Sequence, residues 1–159
     1  MDAPRRKEMS ERGSGVWTYD DGGRAAAGYK GVTGDCVTRA IAIATGKPYQ
    51  EVYDAINEAS QCERRGSRKR GISNARTGVY KQTIRKYLES LGWTWVPTMQ
   101  IGSGCKVHLR ANELPPGRLI VNVSKHTVAV IDGVIHDIYD PSRGGTRCVY
   151  GYFKLAEAR

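Results

Sequence analysis

The 159-residue chain lacks any long apolar run. No window approaches the roughly 20 apolar residues that a helix needs to cross a bilayer, so no membrane partner is expected. The first residues, MDAPRRKEMSERGSG, are charged and lack the apolar segment of a secretory signal. We therefore expect a cytoplasmic protein in which residues 1–15 form a disordered leader and residues 16–159 form a single domain.

Paired cysteines are also lacking. The four cysteines stand singly, at Cys36, Cys62, Cys105 and Cys148, and no two of them form a C-x-x-C pair. This spacing argues against a structural zinc site and against a disulfide framework, so neither a metal nor another cofactor is expected. In a reducing cytosol each cysteine is expected to be a free thiol.

Acidic residues are almost missing between Glu63 and Lys86, within a chain of net charge +9. In this stretch Glu63 alone opposes nine basic residues, which gives a local charge of +8. The excess can attract nucleic acid, an anionic substrate or an acidic partner, or it can form only a solvated loop. We predict a basic loop over about residues 61–78, with these candidate binding residues: Arg64, Arg65, Arg68, Lys69, Arg70 and Arg76.

Three helical patterns follow one another in the first half of the chain, after a short strand-like run and a glycine-rich loop. Apolar residues at i, i+3, i+4 and i+7 predict helices at residues 36–45, about 49–59 and about 79–91. Asp35 or Thr33 can cap the first helix, and Gly46 can end it.

After Gly92 the pattern changes to short runs rich in β-branched and aromatic residues, separated by turn residues. These runs are WTWVP, KVHL, RLIVNV, HTVAVI, VIHDIY and RCVYGYF. Asp132 and Gly133 stand between two of them and predict a two-residue hairpin turn. We therefore expect an α+β fold in which N-terminal helices pack on a C-terminal antiparallel β-sheet.

Cys36 stands in the first turn of the first predicted helix. The backbone N–H groups there lack intrahelical partners, and together with the helix dipole they favour a thiolate and can donate to an oxyanion. Asp35, the neighbouring carboxylate, works against the thiolate. Ordinary core packing is the alternative, because unpaired cysteine is among the most buried residue types.

A nucleophilic thiol needs a base, and the chain has three histidines. His126 opens the run HTVAVI and is expected at the exposed end of a strand. His108 precedes ELPPG with nothing nearby to orient it. If the hairpin turn has two residues, His136 pairs with Ala129 and lies on the opposite face from His126. His126 is therefore the candidate base, and the other two are expected to be structural or surface histidines.

The base in turn needs an acceptor that orients its ring. In the same register Asp137 pairs with Val128, on the face of His126 and diagonal to it, within reach of its side chain. Asp140 would come opposite His126 only through a bulge or a three-residue loop, and the YDPS sequence around it also suits a turn. Both aspartates stay open at this point, with Asp137 preferred.

The segments GDCVTRAIAIATGKPYQEVYDAI and HTVAVIDGVIHDIYD, in this order, resemble the papain-like cysteine peptidase superfamily. The resemblance is to compact papain-like proteins of phage and bacterial genomes and, more distantly, to bacteriocin-processing peptidases. It covers about residues 34–153. It implies a papain-like fold, with Cys36 as nucleophile, His126 as general base and then acid, and Asp137 or Asp140 as the orienting residue.

One position departs from the superfamily pattern. A glutamine upstream of the cysteine often donates to the oxyanion in that superfamily, and here Tyr29, Lys30 and Gly31 hold its place. Lys30 is therefore the candidate donor, unless the backbone N–H of Cys36 acts alone. Loss of one such donor typically lowers the rate about 100- to 1000-fold, so a weak enzyme is one of the alternatives.

Together these features predict a cysteine hydrolase that cleaves an amide, thioester or isopeptide bond in a peptide or protein substrate, including an acidic one. Transfer to an amine would use the same residues. The alternative is a weak or inactive papain-like scaffold that binds protein or nucleic acid through the basic loop, with Trp93, Trp95 or Tyr80 stacking on bases. No helix-turn-helix, zinc or RNA-recognition signature accompanies that alternative. The sequence assigns no oligomeric state.

Overall fold

The computed structural model describes residues 16–31, 34–63, 73–100 and 102–156. The helices of these ranges are α1 (Cys36–Thr45), α2 (Tyr49–Ser60) and α3 (Lys81–Ser90), with a short 3-10 helix at Ala111–Glu113. The strands are β1 (Val16–Tyr19), β2 (Trp93–Pro97), β3 (Arg118–Val123), β4 (His126–Ile131), β5 (Val134–Asp137) and β6 (Val149–Leu155). The predicted leader, Thr33, and the basic residues Arg64, Arg65, Arg68, Lys69 and Arg70 lie outside the described residues.

The predicted bounds of α1 are confirmed, and those of α2 and α3 differ at their ends. Gly46 ends α1 in the left-handed conformation, with φ of 73°, and its N–H donates to the Ala42 carbonyl at 3.0 Å. Asp35 occupies the N-cap position, but its side chain makes no capping hydrogen bond. Its carboxylate instead accepts hydrogen bonds from Arg24, Arg39 and Tyr49.

The strands form one sheet in the order β1-β5-β4-β3-β6-β2. The chain is α+β as expected, but the expectation of a purely antiparallel, C-terminal sheet is wrong. β1 comes from before the helices and pairs parallel with β5, whereas the other neighbouring strands are antiparallel. The helices and strands β2 to β4 lie between β1 and β5 in the chain and supply the long connection that a parallel neighbour requires.

The predicted register of the β4–β5 hairpin is confirmed, since Ala129 pairs with His136. Asp132 and Gly133 both have positive φ, 49° and 79°, which suits the tight turn that joins twisted strands. The run KVHL does not form a strand. Its only ladder contact among the described residues is a single bridge between His108 and Cys148.

Two buried clusters lie on the two faces of the sheet, because neighbouring residues of a strand point to opposite sides. On one face Ile120 and Ala129 pack with the apolar stripes of the helices. On the other face Val121 and Val130 pack with other strand residues, and with Leu109 and Leu114 from the segment before β3. Among the described residues, each helix is too short or too polar to cross a bilayer.

The expectation that all four cysteines are free thiols is also wrong. Cys105 and Cys148 form a disulfide, with their Cα atoms 5.8 Å apart, whereas Cys36 and Cys62 are unpaired. The two joined cysteines are far apart in sequence, and the bridge between His108 and Cys148 brings their segments together. Sequence spacing alone does not indicate such a long-range contact.

Candidate active site

Cys36 is the first residue of α1 and is half-buried. Just before it, Gly34 lies so close to the loop at residues 73–78 that a Cβ atom would stand 2.9 Å from the Thr77 carbonyl oxygen. In the first turn of α1, the Thr38 hydroxyl donates to the Ala75 carbonyl at 2.6 Å. The start of the helix is thus held against a neighbouring loop, and this contact fixes the position of the thiol.

His126 is the first residue of β4 and follows a tight turn through Ser124 and Lys125. Lys125 adopts a φ of 56°, and the Arg147 guanidinium donates to the Ser124 carbonyl. The expected exposure of His126 is wrong, since its side chain is only 7% exposed. The ring of Tyr139 covers it, with the ring centres 5.3 Å apart.

Asp137, the last residue of β5, holds the imidazole ring. Its Oδ2 atom lies 2.6 Å from Nε2 of His126, and its side chain is 3% exposed. The Trp17 indole donates to the Asp137 carbonyl at 3.2 Å, so β1 supports this residue from the edge of the sheet. Nε2 is used by Asp137, and the His126 side chain also interacts with the Cys36 thiol, which changes the pKa of both groups.

These contacts shift both pKa values towards an ion pair. Burial opposes ionisation of Cys36, but the hydrogen bond and charge of His126 outweigh it and lower the pKa of the thiol, helped by the Thr127 backbone N–H and the Arg39 charge. Burial likewise opposes protonation of His126, but Asp137 and Cys36 raise the pKa of the ring to about 9. Both shifts favour the charged forms, a thiolate on Cys36 beside an imidazolium on His126.

Arg39, which is buried on α1 one turn after Cys36, belongs to the site but is not among the residues predicted from the sequence. Its side chain is 5% exposed, donates to Asp35, and reaches Oδ1 of Asp137 with Nη2 at 3.4 Å. The helix that carries the thiol is thereby tied to the residue that orients the base. The available signal was the i, i+4 spacing of Asp35 and Arg39, a common pairing in helices.

The charge of Asp35 is balanced by this network. The residue is 1% exposed, and besides Arg39 it accepts from Arg24 at 3.3 Å and from the Tyr49 hydroxyl at 2.8 Å. Burial and the bond to Asp35 raise the pKa of the Tyr49 hydroxyl. The expectation that Asp35 opposes the thiolate did not include these two guanidinium groups, which offset its negative charge.

The remaining predicted residues have other partners. Asp140 is a turn residue whose Oδ1 accepts from the Ser142 N–H at 2.9 Å, and within the described part of the chain it makes no hydrogen bond or ion pair with His126. Lys30 has an exposed side chain, and its carbonyl accepts from Arg76 Nη2 at 2.7 Å. Arg76, the one described member of the predicted basic set, thus supports the segment before α1.

Glu63 and Ser73, the described residues on either side of the basic segment, lie close together. The Glu63 carboxylate accepts from the Ser73 N–H at 2.6 Å and from the Ser73 hydroxyl at 2.5 Å, and it also accepts from the Thr83 hydroxyl at 2.7 Å. Glu63, the one acidic residue in the basic stretch, therefore links Ser73 and Thr83 of α3 through its carboxylate. Of the predicted stacking residues, Trp93 is 6% exposed and belongs to the core, whereas Trp95 and Tyr80 keep accessible surface.

The other two histidines pair with carboxylates away from Cys36. His136 Nδ1 lies 3.4 Å from Asp20, and His108 Nδ1 lies 3.2 Å from Glu113. The expectation that nothing orients His108 is wrong, because the 3-10 helix brings Glu113 back to its ring. This contact, with Arg110 3.0 Å from the same carboxylate, outweighs a small effect of burial and lowers the pKa of Glu113.

No protein-family model, no curated protein and no solved structure matches this chain.

Proposed function

We propose that the protein is a cysteine hydrolase of the papain-like type, which cleaves an amide, thioester or isopeptide bond. One observation carries the proposal: Cys36, at the start of a helix, interacts with the side chain of His126, whose Nε2 lies 2.6 Å from buried Asp137. This is the order of nucleophile, base and orienting carboxylate that thiol-based acyl transfer requires. The papain-like resemblance of the sequence implies the same roles for Cys36 and His126, and Asp137 is one of the two orienting residues that it allows.

The reaction begins with the thiolate of Cys36, which attacks the carbonyl carbon of the substrate. The tetrahedral intermediate collapses when His126 protonates the leaving amine or thiol, and the bond to that group breaks to leave a thioester on Cys36. His126 then takes a proton from water, the resulting hydroxide attacks the thioester, and Cys36 leaves as the thiolate. With an amine in place of water the same steps produce acyl transfer.

The start of α1 stabilises the negative charge that develops on the oxygen of the tetrahedral intermediate. Backbone N–H groups of the first helical turn are free of intrahelical partners, so the N–H of Cys36 is the donor that we assign to the oxyanion. Arg39 keeps Asp137 in place and balances the buried carboxylates. We assign it a positioning role, because its contacts are with the carboxylates and not with the reacting atoms.

Alkylation kinetics test the nucleophile. The protein is treated with iodoacetamide from about pH 5 to about pH 9, and the labelled cysteines are mapped by mass spectrometry. We expect Cys36 to react at pH values at which an ordinary thiol is protonated, because the pKa of Cys36 is lowered. Cys62, which is unpaired and exposed, is the internal control for an ordinary thiol.

The matched variants are Cys36→Ala and Cys62→Ala. The first should abolish both the fast alkylation and the hydrolysis of a fluorogenic peptide amide, and the second should leave both unchanged. The proposal fails if Cys36 reacts no faster than Cys62 at every pH.

A further inference from the structure

A groove of about 540 Å³ lies between α3 and the sheet, on the face that the helices cover. Aromatic side chains line it from the sheet side, namely Trp95, Tyr150 and Phe153. The rings of Trp95 and Phe153 contact each other, with their centres 4.8 Å apart. The groove therefore offers an apolar, aromatic surface to a ligand.

The backbone is adapted to form this surface. A Cβ atom at Gly151 would lie 2.3 Å from the Trp95 ring, so only glycine lets the indole lie across β6. The pairing of β3 with β6 shifts between Asn122 and Val123, since Asn122 pairs with Gly151 and Val123 with Val149. Tyr150 is the extra residue of this bulge, and such bulges redirect side chains beside functional sites.

The other wall is positively charged. Lys81, Arg85 and Lys86 of α3 line the groove, and the one acidic residue of its lining, Glu89, pairs with Arg85 at 2.9 Å. Lys81 and Lys86 are exposed and have no ion-pair partner among the described residues. The groove thus combines an aromatic surface with two uncompensated positive charges.

Asn122 links the groove to the start of β4, the strand that carries His126. Asn122 lines the groove, and its side-chain oxygen accepts from the Thr127 hydroxyl at 3.2 Å. The Thr127 backbone in turn acts on the Cys36 thiol and lowers its pKa. Thr127 is therefore the residue that connects the groove lining with the candidate active site.

We propose that this groove binds the peptide segment next to the scissile bond, and that it selects segments in which aromatic or large apolar residues alternate with acidic ones. This inference rests on the proposed function, because acyl chemistry at Cys36 needs a carbonyl that is joined to the bound segment. The aromatic wall would contact the apolar side chains, and Lys81 and Lys86 would contact the carboxylates.

Binding to the Cys36→Ala protein tests the groove independently of turnover. The probe is a fluorescein-labelled hexapeptide of alternating Glu and Phe, measured by fluorescence anisotropy, and the comparison peptide has Lys in place of Glu. We expect the acidic peptide to bind more tightly. Lys81→Glu/Lys86→Glu should weaken its binding by about tenfold and should strengthen the binding of the basic peptide.

The matched control is Lys106→Glu/Lys154→Glu, which reverses two exposed lysines outside the groove and changes the net charge equally. The proposal is overturned if the acidic peptide does not bind, or if the control weakens it as much as the groove variant does. It is also overturned if a labelled oligothymidine, and not the peptide, responds to the groove variant, since the groove would then bind nucleic acid.

Alkylation of Cys36 separates this inference from the proposed function. Ordinary alkylation kinetics together with groove-dependent peptide binding would refute the hydrolase and leave the groove as a peptide site. Fast alkylation together with groove-independent binding would refute the groove and leave the hydrolase.

Discussion

Among the described residues, two sets combine a histidine–carboxylate pair with a neighbouring cysteine. The first set is Cys36, His126 and Asp137, and the second set is His108 and Glu113 beside the disulfide of Cys105 and Cys148. The histidine and carboxylate side chains of the first set are 7% and 3% exposed, whereas those of the second are 31% and 25% exposed. Cys36 of the first set is a free thiol, whereas Cys105 and Cys148 of the second set are joined in a disulfide.

The difference shows that a histidine–carboxylate pair is not by itself a sign of catalysis. Solvent screens the second pair, which also lacks a free thiol. In the first pair, burial strengthens each interaction, and three elements of the fold converge on it: the start of α1, the start of β4 and the end of β5. Burial and convergence are therefore the properties to test.

The largest effect should come from substitution of His126, with the same substitution of His108 as the control. His126→Ala should lower the hydrolysis of a fluorogenic peptide amide about 10²- to 10⁴-fold, because both the proton acceptor and the partner of the thiolate are lost. It should also move the alkylation of Cys36 to higher pH. His108→Ala should leave both measurements unchanged, and equal losses in the two variants would contradict the assignment of the base.

The next largest effect should come from the buried arginine of the first set. Arg39→Met leaves Asp35 and Asp137 buried without this guanidinium, and should lower the free energy of unfolding by about 3–5 kcal/mol. Arg110→Met, which removes a partly exposed partner of Glu113 in the second set, should cost about 1 kcal/mol. Urea unfolding followed by circular dichroism measures both variants, and similar values for the two would refute the structural importance of Arg39.

A smaller effect should come from the carboxylates, and it appears in the pH dependence. Activity needs the imidazolium, so the rate should fall as pH rises through the His126 pKa of about 9. Asp137 favours the charged ring, and Asp137→Asn should therefore move this falling limb about one to two pH units lower, with roughly a tenfold loss of activity at pH 8. Glu113→Gln should leave the profile in place. An unchanged profile for Asp137→Asn would mean that another group sets the pKa of His126.

Much of the candidate site could be predicted because its parts are local. The apolar stripe and Gly46 determine where α1 lies, and this places Cys36 in its first turn. The turn at Asp132 and Gly133 sets the β4–β5 register, which puts Asp137 diagonal to His126. Each inference involves residues that are near one another in the chain.

The features that could not be predicted all depend on residues that are distant in sequence. The ring of Tyr139 packs against His126 and helps to bury it. The role of Arg39 depends on its contact with Asp137, which is 98 residues away in the chain. The parallel pairing of β1 and the disulfide likewise join separate parts of the chain. Backbone geometry and side-chain periodicity act over a few residues, so they determine the elements and the hairpin register. Packing of the helices against the sheet determines which charged groups lose water and meet, and that packing gives Cys36 and His126 their shifted pKa values.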